Sequence, residues 1–110
     1  MKKSKSNPKI LEGQANILKA LCQPTRLQIL ELLRDGERCV CEIFQAIDQE
    51  QANVSKHLSI LKQAGILESR KDGLRILYRI KIPEVLTLLA GVSNILKKQI
   101  KEQHQLMSRL

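Results

Sequence analysis

The sequence has no tryptophan and only one tyrosine and one phenylalanine, an aromatic content of 2%. That argues against a stacking platform for single-stranded nucleic acid, which needs several exposed rings. The 43% of hydrophobic residues must then come from Leu, Ile, Val and Ala, a mix that suits packed helices. No uninterrupted apolar run approaches the roughly 20 residues of a membrane span. The start, MKKSKSNPK, is basic but lacks the apolar core of a signal peptide. Both absences point to the cytosol, with no membrane partner, where thiols stay reduced. Cysteine is scarce and odd in number, with Cys22, Cys39 and Cys41 alone, which fits poorly with a disulfide framework. No paired carboxylates, Ser-His-Asp set or phosphate-cradling glycine loop stands out, so neither an enzyme nor an obligatory cofactor is expected.

Acidic residues are missing where basic ones gather. Residues 1–9 carry Lys2, Lys3, Lys5 and Lys9 with no acid. Residues 69–81 set Arg70, Lys71, Arg75, Arg79 and Lys81 against Asp72 alone. The net charge of +8 is therefore clustered, and a polyanion such as nucleic acid is the default partner. A length of 110 residues fits one domain. A core of that size is modest, and dimerisation would add to it.

Hydrophobic spacing orders the chain. Ile10, Leu11, Ile17, Leu18 and Leu21 mark a first amphipathic helix. Pro24 suits the first turn of a second helix, apolar nearly all round at Leu27, Ile29, Leu30, Leu32 and Leu33, and so expected to be buried. A short helix follows over about residues 41–47, then a polar break, then a helix from Gln51 to about Ala64 that stops at Gly65. Val54, Leu58 and Leu61 lie on one face of that fourth helix. The period then changes: two strands flank a turn at Asp72-Gly73. Ile76, Tyr78 and Ile80 alternate with Arg75, Arg79 and Lys81, as in a half-buried strand. Pro83 opens a long last helix. The expected division is a disordered basic arm over 1–9, a DNA-binding and dimerisation domain over 10–103, and a tail over 104–110.

Helix, helix, short helix, helix, basic hairpin and helix make a mainly α winged helix-turn-helix with a small β-hairpin. The fourth helix would enter the major groove of double-stranded DNA with its N-terminal residues at base edges. Gln51 and Asn53 carry amides that pair with a base edge. Ser55 and Lys56 reach bases or phosphates, and Arg70, Lys71 and Arg75 of the wing meet the backbone or minor groove.

LCQPTRLQILELL (21–33), QANVSKHLSILKQAGIL (51–67) and RKDGLRILYRI (70–80) resemble the ArsR/SmtB family of metal-responsive repressors. The resemblance runs from about residue 10 to about residue 100. It implies a homodimer joined through the first and last helices, and a repressor that leaves an inverted-repeat operator when an inducer binds. It also adds His57 to the base-contacting segment Gln51, Asn53, Ser55 and Lys56. Glu50 stands where family members often have serine, which removes a good helix cap.

Glu37-Arg38-Cys39-Val40-Cys41-Glu42-Ile43 is similar to the Cys-Val-Cys motif of the family's thiolate sensors. The resemblance implies arsenite, antimonite, or a soft divalent ion such as cadmium, lead or zinc as inducer. Soft ions prefer thiolate sulfur over oxygen. Arsenic sensors of this type often place a third cysteine one turn on, where this chain has Phe44, so Cys22 is the remaining candidate for a third ligand. Two further readings stand beside this one. The thiols could serve redox or sulfide sensing through oxidation, or they could be small buried hydrophobes of a non-sensing architectural DNA-binding protein.

Overall fold

A computed structural model of the protein describes residues 7–110. Lys2, Lys3 and Lys5 of the expected arm lie outside the described residues. Helix α1 spans Pro8–Leu21, so residues 8 and 9, expected in the arm, form its first turn. The cause is local: Asn7 Oδ1 accepts from the Lys9 amide at 2.9 Å, and Pro8 sits at the first helical position. Helix α2 (Pro24–Leu32) opens on Pro24 as its sequence predicts. It buries Ile29 and Leu30 completely but leaves Leu27 38% exposed, so it is not covered on every side.

A two-residue strand, β1 (Arg38–Cys39), leads directly into α3 (Val40–Ala46). Helix α4 (Gln51–Gln63) buries the expected face of Val54, Leu58 and Leu61. Its end is a Schellman closure: the Ile66 amide donates to the Leu61 carbonyl and the Gly65 amide to the Lys62 carbonyl, both at 3.0 Å. Gly65 takes a φ of 78°, which a side chain would resist.

Strands β2 (Leu67–Asp72) and β3 (Arg75–Ile80) form the wing, paired antiparallel from Leu67↔Ile80 to Asp72↔Arg75. The hairpin loop is Gly73-Leu74, one residue later than the expected Asp72-Gly73, and Gly73 carries the positive φ of 64° that this two-residue loop requires. The sheet has the order β1-β3-β2, with Cys39 opposite Leu77. Tyr78 and Ile80 pack against the core, as expected of a half-buried strand, and the third strand adds a covered position on the opposite face. Leu77, on the same side as Arg75 and Arg79, is buried, while Ile76 is 42% exposed. β1 and the α3 that follows it cover the middle of β3.

Helix α5 (Glu84–Ser108) begins just after Pro83 and runs through most of the expected tail. Leu86 and Leu89 also pack against the core, but farther along Val92, Ile95, Leu96 and Ile100 are each at least half exposed. Ile10, Leu11, Ile17 and Leu18 of α1 are likewise exposed. Among the described residues no helix is long and apolar enough to cross a membrane.

Candidate DNA interface and thiol pair

The buried stripe of α4 fixes what its other side presents. Gln51, Asn53, Ser55 and Lys56 all emerge exposed. Glu50, the N-cap, makes no side-chain cap bond, as expected where serine is missing. The start of α4 is held by a different device. Asn53 Nδ2 donates to Gln49 Oε1, and Gln49 Nε2 donates to Thr25 Oγ1 at 2.6 Å. The turn ahead of α4 is thereby tied to the first turn of α2.

His57 is placed differently from its neighbours. It is half-buried, and its Nδ1 accepts from Arg26 Nε at 3.0 Å. Arg26 Nη1 also donates to the Lys19 and Ala20 carbonyls, at 3.2 and 3.3 Å. One guanidinium thus caps the end of α1 and pins α4. Burial pushes His57 below the ordinary histidine range, with Arg26 and Lys56 adding to the effect. A neutral ring is the form that can accept from Arg26. His57 Nδ1 is thus engaged within the fold, whereas Lys56 extends into solvent. Its spacing from Leu58 and Leu61 hinted at this, but Arg26 lies 31 residues away.

The wing's basic residues are exposed and largely paired. Arg70 grips Glu37 through two bonds, Nε to Oε2 at 3.0 Å and Nη2 to Oε1 at 2.5 Å. Hydrogen bonding to Arg70 holds the Glu37 carboxyl below its usual range. Arg75 contacts Asp72 at 3.3 Å, and Arg79 pairs with Glu68. Lys71 is exposed.

Cys39 is the N-cap of α3. Its Sγ accepts from the Cys41 amide at 3.3 Å, and its own amide donates to Glu42 Oε1 at 3.2 Å, which completes a capping box. Cys39 is 4% exposed, whereas Cys41 is open to solvent. Hydrogen bonding from the Cys41 thiol and amide draws the Cys39 thiol below its ordinary range; the same interaction raises Cys41.

Cys22 stands apart. It is exposed at the C-cap of α1, its Sγ donating to the Lys19 carbonyl at 3.1 Å. Among the described residues no three His, Cys, Asp or Glu side chains gather as a metal site. Cys22 does not join Cys39 and Cys41 in such a group, and all of α2 lies between them in the sequence. The pair supplies two sulfurs. It suits a ligand satisfied by two thiols and leaves a four-coordinate ion short of donors.

The model of the arsR family of bacterial regulatory proteins matches residues 23–69. An uncharacterized HTH-type transcriptional regulator of Methanocaldococcus jannaschii is 43% identical over 82 residues, 71% of this chain and 92% of that protein. The arsenical resistance operon repressor of Escherichia coli is 43% identical over 65 residues, 58% of this chain and 56% of that repressor. The solution structure of a homodimeric winged helix-turn-helix DNA-binding domain from Mycobacterium bovis superposes with a TM-score of 0.75 at 36% identity. It covers 89% of this chain and 91% of that one.

Proposed function

The chain belongs to the arsR family, winged helix-turn-helix transcriptional regulators rather than enzymes, and from that premise we propose a homodimeric repressor released from its operator by a thiophilic inducer at Cys39 and Cys41. Residues 10–103 form the DNA-binding and dimerisation unit in this reading, working in the cytosol where the DNA is. Two copies place two α4 helices about one DNA turn apart, roughly 34–36 Å, so the operator is an inverted repeat. Gln51, Asn53, Ser55 and Lys56 read or grip the major groove, and Lys71, Arg70 and Arg75 hold the flanking backbone.

The observation that carries the inducer site is the position of Cys39. It is at once the cap of α3 and the partner of Leu77 in the wing. When its sulfur is bonded to arsenite, antimonite, cadmium or lead, it no longer accepts the Cys41 amide in the same way. Losing an N-cap costs about 0.5–2 kcal/mol. Allosteric coupling of about 1–3 kcal/mol is typical, so one disturbed cap is of the right size to shift operator affinity about tenfold.

The test is a fluorescence-anisotropy assay on labelled operator. The double variant Cys39→Ser, Cys41→Ser is expected to bind operator as the wild type does, and to stay bound when arsenite or cadmium is added. Release of that variant at wild-type inducer concentrations would refute the site. A second reading is favoured by the two-sulfur count: the thiols respond to an oxidant, which removes two electrons and two protons as a disulfide forms. Release by peroxide, reversed by dithiothreitol, with no response to metals, would select it.

A further inference from the structure

The thiol pair opens onto a cavity that a bare ion does not need. Cys39 and Cys41 form one wall of a space of about 280 Å³ whose other walls are Val40, Phe44, Leu74 and Ile76. Arg75 is its one charged neighbour, already in contact with Asp72. Phe44 packs against the core from one side. Leu74 and Ile76 reach in from the wing, and both are strongly exposed, Leu74 completely so. Apolar side chains left in water beside two thiols make an open cleft for an apolar group.

Resting on the thiol reading above, we propose that the inducer is a trivalent arsenical carrying one carbon substituent, with arsenic on Cys39 and Cys41 and the substituent against Phe44, Leu74 and Ile76. The chemistry closes on two sulfurs. A compound R–As(OH)₂ exchanges both As–O bonds for As–S bonds. Each thiol proton leaves with a hydroxide, so two waters are released, the As–C bond stays intact and no electron moves. Inorganic arsenite makes the same exchange but keeps one As–OH, which then faces an apolar wall. A hydroxyl left there loses hydrogen bonds to water, whereas a phenyl group gains by leaving it.

The test measures binding of phenyl- and methyl-substituted arsenicals and arsenite to the whole protein without DNA, by calorimetry. The expected order for the wild type is phenyl, methyl, arsenite, with phenyl about tenfold tighter than methyl from the apolar area it buries. Leu74→Ser with Ile76→Ser, both on exposed positions, is expected to bring phenyl and methyl to about equal affinity. Phe44→Cys is expected to tighten arsenite, since it supplies a third sulfur on the same wall. Arsenite equal to or tighter than phenyl in the wild type, or a phenyl preference untouched in the wing variant, would overturn the substituent and leave the thiol site standing. No binding of any of the three, or equal binding to Cys39→Ser, Cys41→Ser, would overturn the thiol site itself.

Discussion

Arg26 joins the last carbonyls of α1 to the ring of His57 on α4. Arg26→Ala is expected to lower stability by about 1–3 kcal/mol, as a charged donor serving several acceptors is lost. His57 gives this contact a pH dependence. Its folded-state value lies below the ordinary 6.5, so below that pH the unfolded chain takes up a proton that the folded chain resists. Stability therefore falls as pH drops through that range and does not recover on further acidification. Urea melts at about pH 7.5 and about pH 5.5 should show the loss in wild type and less of it in His57→Gln, which keeps an acceptor without the titration. A loss of equal size in both would refute the assignment. The segment 21–33 that contains Arg26 was visible in the sequence as part of the family resemblance. The partner was not, because nothing in local spacing links residue 26 to residue 57.

At the scale of elements, α4 was the most legible part of the chain. Three apolar residues at helical spacing fixed its buried face, and therefore the side that Lys56 occupies. β1 was invisible, because two residues carry no period, and without it nothing in the sequence showed that Leu77 is covered on the side that carries Arg75 and Arg79. The ion pairs of the wing were equally hidden: Arg70 meets Glu37 across 33 residues of sequence. DNA binding makes an element-level prediction. Operator affinity should fall steeply with salt, and Lys56→Ala or Arg75→Ala should weaken binding and reduce the logarithmic salt slope by about one. A flat salt response would count against the proposed interface. The pairing of Arg70 with Glu37 also means that the slope should be less than a count of basic residues implies.

The described residues measure 57 × 43 × 23 Å, long because α5 extends beyond the core. Val92, Ile95, Leu96 and Ile100 form one stripe of that helix, and Ile10, Leu11, Ile17 and Leu18 expose a second apolar face on α1. Exposed faces of this kind mark association surfaces. The sequence marked the residues as apolar but could not separate core from interface, since Leu18 is exposed and Leu21 buried within one helix of the same pattern. Sedimentation of the wild type is expected to give a dimer, and Ile95→Glu with Ile100→Glu a folded monomer. Operator affinity of that variant should drop at least about 100-fold, because two linked half-site contacts become one. A wild-type monomer, or unchanged affinity in the variant, would count against the two-fold arrangement.

Sulfur is a weak hydrogen-bond acceptor, yet at Cys39 it starts a helix of only seven residues. Serine would cap that helix better. A serine in that buried place would give up the apolar burial that the sulfur keeps. The cap of α3 thus trades a stronger hydrogen bond for an atom whose bonding can change, and the trade sits at the front of the DNA-reading unit.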